Sequence, residues 1–201
     1  MNDLNSVVSV RNACGTIKAI IKYFRDSPKR RKLIPNVPLL SETRWTSKYK
    51  SIRFFSEKFP VIFSKLEELE TGRDEKPETR QGALHLRHAA GIAMFLICLG
   101  IISKYSAILE PVTQMLQAVN TDILGVKNHI AKFVKTFKDH RECANEMFTN
   151  DVMLWVKSVA TELEIDLTML RQCAPQIYRA NVRGTLENIT AAQSSFHTWT
   201  P

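Results

Sequence analysis

Ala89-Ala90-Gly91-Ile92-Ala93-Met94-Phe95-Leu96-Ile97-Cys98-Leu99-Gly100-Ile101-Ile102 is a run of 14 residues without a charge. It is shorter than the roughly 20 apolar residues needed to span a bilayer. A helix that is apolar all round belongs among other helices, so the run is read as the second half of a buried helical block covering 78–103. Working outward, the neighbouring segments repeat their apolar residues at intervals of three and four. Val7, Val10, Cys14, Ile17, Ile21 and Phe24 make one stripe, with Arg11, Lys18, Lys22 and Arg25 beside it. Tyr49, Ile52, Phe55, Phe59, Ile62, Phe63, Leu66 and Leu69 make another, which Pro60 should kink or divide. Ile108, Leu109, Val112, Met115, Leu116 and Val119 form a helix that begins near Tyr105 and tolerates Pro111. Ile123, Val126, Ile130, Phe133, Val134 and Phe137 form the expected buried face of the next, and 150–164 supplies the last clear one. No period-two strand with hairpin chemistry is present, and the fold class is all-α, an irregular multi-helix array.

Boundaries follow from breakers and caps. Pro28 ends the first helix near Asp26-Ser27, and Pro35 and Pro38 make a linker that cannot be regular helix. Ser41 or Thr43 is a natural N-cap for the next helix, and 71–77, polar and containing Gly72, is the interior loop. After Arg171 the pattern fades. The organisation expected is a basic helix and linker over 1–40, an all-helical domain over 41–182 and a divergent, poorly ordered tail over 183–201.

Charge is segregated. Residues 1–58 contain 13 Lys+Arg and 4 Asp+Glu, and the remaining 143 contain 15 and 16, so the net +8 belongs to the N-terminal third. Clustered charge builds a local potential suited to a polyanion, above all nucleic acid, although a solvated basic helix face is the simpler reading. Within this third, Lys29, Arg30, Arg31 and Lys32 form a run that can contact phosphates as a mobile cluster or act as a nuclear-localisation signal. Arg44, Lys48, Lys50 and Arg53 decorate the helix that Trp45 begins. Trp45 itself has two readings: a ring that stacks on an unpaired base, or a staple holding the helix start to the core.

Other chemistry is thinly represented. His85 and His88, and His140 and Cys143, are pairs three apart, but two ligands do not make a structural zinc site. Glu67, Glu68 and Glu70 read as a solvated face. Nucleophile motifs and phosphate-cradling glycine loops are missing. No catalytic residue, metal, cofactor or small-molecule substrate is expected. Cys14, Cys98, Cys143 and Cys173 are scattered, and the N-terminus is charged and polar, a pattern of reduced thiols in a nuclear or cytoplasmic protein.

Leu39-Leu40-Ser41-Glu42-Thr43-Arg44-Trp45-Thr46-Ser47-Lys48-Tyr49-Lys50-Ser51-Ile52 resembles the Arg-Trp block of hAT-superfamily transposases. Phe24-Arg25-Asp26-Ser27-Pro28-Lys29-Arg30 upstream and Ile101 to Val112 downstream are similar to the family's helical blocks in the same order. The resemblance covers about residues 7–181 and is nearest to the transposon-derived repressors of the inhibitor of the protein kinase and the zinc finger MYM-type relatives. It implies a position inside the helical insertion that interrupts the family's RNase H-like core. The family's three catalytic acidic residues and its zinc-binding DNA-recognition domains have no counterpart here. The transferable residues are Arg44 and Trp45, which the family's motif implicates in holding DNA at the transposon end. The resemblance therefore implies a non-catalytic fragment of a transposase or a domesticated derivative with residual DNA binding. The alternative is a helical protein–protein interaction module or inert remnant. An insertion separated from its core would also expose apolar surface and self-associate.

Overall fold

A computed structural model describes residues 7–40, 45–117 and 123–167; of Trp45, Thr46 and Ile123 it describes the backbone. Every regular element among the described residues is helical. The elements are α1 (Val8–Arg25), α2 (Pro28–Leu33), α3 (Trp45–Glu57), α4 (Phe59–Thr71), α5 (Pro77–Ala90), α6 (Ala93–Leu116), α7 (Ile123–Glu142) and α8 (Ala144–Met147), then a π-helical turn (Phe148–Val152) and α9 (Met153–Glu162).

The centre of the molecule is α6. Phe95, Leu96, Ile97, Cys98 and Leu99 are five consecutive buried residues, possible only where neighbours stand on all sides. Its largest interface is with α3, and α1, α5, α7 and α9 pack around the rest. Phe55, Phe59 and Phe95 meet at ring-centroid distances of 5.8 to 6.4 Å and tie the start of α4 to α3 and α6. Val10, Ile17, Ile20, Ile21 and Phe24 of α1 belong to this same core, continuous with Ile52, Leu66 and Leu96.

Two boundaries differ from the sequence expectation. The block read as 78–103 is divided at Gly91-Ile92, where Ile92 turns extended and α6 begins. The helix then continues unbroken past Ser103, Lys104 and Pro111 to Leu116, 24 residues in all. A close approach favours glycine at the break: a Cβ on Gly91 would lie 3.2 Å from the Arg87 carbonyl and 3.4 Å from the Phe63 ring. At this length α6 is long and apolar enough to cross a membrane, but 61% of its apolar window is buried inside the chain. Pro60 divides its segment as anticipated, sitting in the first turn of α4, where its missing N–H has no intrahelical acceptor to lose.

The expected buried face of α7 is also corrected. Ile130 is 43% and Val134 49% exposed, and Val126 and Phe133 are half-buried. Burial of this helix is concentrated near its C-terminal end, where Phe137 stacks on Tyr105 at 5.8 Å and the His140 ring meets Tyr105 edge-on at 6.0 Å. The tail read as 183–201 lies outside the described residues.

Candidate nucleic-acid interface

The basic run after α1 is not a mobile cluster. Residues 28–33 form α2, with Pro28 in its first turn, and its arginines fold back onto the end of α1. Arg30 donates to the Tyr23 carbonyl at 2.7 Å and lies 4.1 Å over the Tyr23 ring; Arg31 donates to the Arg25 carbonyl at 2.6 Å. Arg25 in turn donates to the Val37 carbonyl at 2.7 Å. The last carbonyls of a helix lack intrahelical donors and stand at its negative end, which is where guanidinium groups are held best. Lys29 pairs with Glu75 at 2.5 Å, and Lys32 is exposed. The run therefore closes α1, while Arg25 of α1 anchors the linker and exposed Lys29, Arg31 and Lys32 leave a positive outer surface.

The linker is fastened as well. Ile34, Val37 and Leu40 are buried, Asn36 takes the left-handed conformation that Asn tolerates, and the Ser51 hydroxyl lies 2.8 Å from the Leu39 carbonyl. This holds the chain entering α3. Arg44 and both candidate caps, Ser41 and Thr43, lie outside the described residues; Trp45 is the first residue of α3, and its side chain lies outside them too.

Lys48 is half-buried on the side of α3 near Cys14 of α1. Burial raises the Cys14 thiol above its ordinary value, and the Lys48 charge pulls it back. Arg53 is engaged by Glu110 at 2.7 Å and faces Glu57 at 3.8 Å. The outward ridge is instead Lys50 and Phe54 of α3 with Lys58, the residue between α3 and α4 whose N–H donates to the Phe54 carbonyl, at i, i+4 and i+8: two exposed lysines with an aromatic ring between them that is partly buried against the core. Phe54 and Lys58 were missed because the apolar stripe drew attention to Phe55; their shared spacing with Lys50 was the available signal. Two cations flanking a ring is an arrangement that can hold a phosphate backbone while a base lies on the aromatic face.

The remaining candidates do not converge. His85 and His88 are exposed on α5; His140 sits among Tyr105 and Phe137 while Cys143 is exposed. Among the described residues no three His, Cys, Asp or Glu side chains stand where they could hold a metal ion. Glu67 and Glu68 are exposed, but Glu70 is largely covered and holds Arg87 at 2.5 Å, joining α4 to α5. A cleft of about 330 Å³ between α6 and the π-helical turn is lined by Ser56, Ser103 and Trp155, with Lys104 and Asp151 paired across it.

No family model, curated protein or solved structure matches this chain.

Proposed function

We propose that this chain is a nucleic-acid-binding helical module, related to the helical insertion of hAT-type transposases, that acts by contact and not by catalysis. The observation that carries the reading is the segregation of charge. The first 58 residues hold 13 basic and 4 acidic side chains, and the ridge running from α3 into its junction with α4 sets Phe54 between Lys50 and Lys58. Lys29, Arg30 and Arg31, though bonded to the chain, add positive potential beside α1, and Lys32 is exposed there. Arg44, Trp45 and Lys48 follow from the resemblance and the local charge; of these, Lys48 contributes field more than contact because it is half-buried. A nuclear location accords with a DNA partner and with the basic run at α2.

Equilibrium binding to hairpin and single-stranded DNA tests this. Arg44→Ala and Trp45→Ala should each weaken binding about five- to hundredfold if Arg44 charge-pairs a phosphate and Trp45 stacks a base. Unchanged affinity in both variants would remove those two residues from the interface, and no binding at low salt would remove the DNA reading.

The alternative, a helical interaction module, is favoured by a separate observation: Leu116, Leu124 and Leu154 are each more than half exposed. Light scattering on the purified chain tests it. Concentration-dependent self-association that Leu154→Ser or Leu124→Ser relieves would support it, and a strict monomer at all concentrations would contradict it.

A further inference from the structure

We infer that one ridge of α7 is a second contact surface for a nucleic-acid backbone, an inference that rests on the nucleic-acid reading above. The helix carries Lys127, Lys132, Lys135, Lys138 and Arg141 against Asp139 and Glu142, a local excess hidden by the −1 balance of residues 59–201. Four of the five fall at successive intervals of three. Lys132, Lys135, Lys138 and Arg141 therefore occupy a single i±3n row, which runs at about 45° to a helix axis. Neighbouring rungs are ~4.5 Å apart along the axis and step around the helix, so their extended side chains present cations at a spacing that a phosphate backbone can follow.

Three further observations distinguish this ridge from an ordinary solvated face. All five cations are exposed, and among the described residues none has an ion pair. Elsewhere Lys22, Lys29, Arg53, Lys65, Arg87 and Lys104 each hold a carboxylate, while exposed Lys76, Arg80 and Lys157 hold none among the described residues but belong to no such row. By helical spacing Lys132, Lys135 and Lys138 lie on the side of α7 away from Phe137 and His140, whose rings pack on Tyr105, while Arg141, at the end of the row, comes round beside Phe137. Unpaired lysines held in a row gain most from a partner whose own charges repeat, because each contact releases a condensed counterion. A lipid surface fits less well. It requires a broad apolar face below the cations, whereas Val126, Phe133 and Phe137 of the α7 stripe are half-buried, Phe137 against the core, and its exposed part among the described residues is limited to Ile130 and Val134.

The test is fluorescence anisotropy of a labelled hairpin oligonucleotide with the full chain over a sodium chloride series. The triple variant Lys132→Gln/Lys135→Gln/Lys138→Gln is compared with wild type and with Lys50→Gln/Lys58→Gln. The α7 variant should lose about tenfold or more in affinity at low salt, and its salt slope should shrink by about 2 to 3, close to one unit per lost phosphate contact. Circular dichroism and the melting midpoint should be unchanged, because all three side chains are exposed. Wild-type affinity and slope in the triple variant, with DNA still bound, would overturn this inference and leave the proposed function standing. No DNA binding by the wild type would overturn both. Tighter binding to phosphatidylserine vesicles or polyglutamate than to the oligonucleotide would also overturn it, since a nucleic-acid ridge should prefer the phosphate backbone.

Discussion

Arg53 donates to Glu110 at 2.7 Å and thereby joins the middle of α3 to α6 one residue before Pro111, with Gln114 donating to the second carboxylate oxygen at 3.1 Å. Glu110 is buried while Arg53 is half exposed, so water reaches one partner and not the other. Removing the cation leaves a buried carboxylate with Gln114 alone, whereas an amide at 110 still accepts from Arg53. Arg53→Met should therefore cost about 1–3 kcal/mol and Glu110→Gln roughly half as much, measured by urea denaturation. Equal costs would show that the asymmetry of burial does not govern the pair.

Gly100 sets the distance between α6 and α9. A Cβ at this position would lie 3.2 Å from both the Trp155 ring and Val152. Gly100→Val adds this clash and a branched side chain, and should destabilise the chain by about 1–3 kcal/mol while shifting the Trp155 fluorescence. A more stable variant would mean that α9 retreats freely.

His140 makes the α6–α7 junction sensitive to acid. Its Nδ1 is buried without a hydrogen-bond partner among the described residues, and burial followed by the Lys104 charge lowers its pKa from the ordinary 6.5, against smaller opposing effects of Asp139 and Asp151. The unfolded chain thus takes up a proton at a pH where the folded chain still resists it. Stability contributed by this site is complete above 6.5 and is lost as pH falls from there through the lower folded value. His140→Phe, which keeps a ring against Tyr105, should flatten the melting midpoint over that window. A steeper acid loss in the variant would reverse the sign of the account.

The thiols should react in an order set by burial. Cys143 is exposed, Cys14 is half-buried with its thiol raised, and Cys98 is buried and pushed up to about 12 by its surroundings and by Cys14. Among the three cysteines in the described residues, alkylation of the native chain at neutral pH should modify Cys143 first and Cys98 only on unfolding, read by mass spectrometry of the peptides. Early modification of Cys98 would indicate that the core around Leu96 and Leu99 opens readily.

Local pattern carried the helices whose partners lie close by. The stripe of Val10, Ile17, Ile21 and Phe24 is buried as spaced, and Pro60 divides its segment because its ring fits a first turn. Non-local contacts decided what was missed. Gly91 breaks the central helix where the Phe63 ring approaches it, and Arg30 and Arg31 are committed to carbonyls at Tyr23 and Arg25 that composition cannot assign. The stripe of α7 has the spacing of a buried face, yet packing covers it only partly, because spacing specifies a face and not the presence of a neighbour. At the candidate interface, net charge pointed to the N-terminal third but did not show that Arg53 is engaged by Glu110 or that Lys50, Phe54 and Lys58 share a ridge.

The salt dependence of DNA binding by the unmodified chain tests the central claim most directly. Binding should strengthen steeply as sodium chloride falls, with a log–log slope between about −4 and −8, as expected for several phosphates contacted at once. A slope near zero, or no binding at the lowest salt, would contradict it.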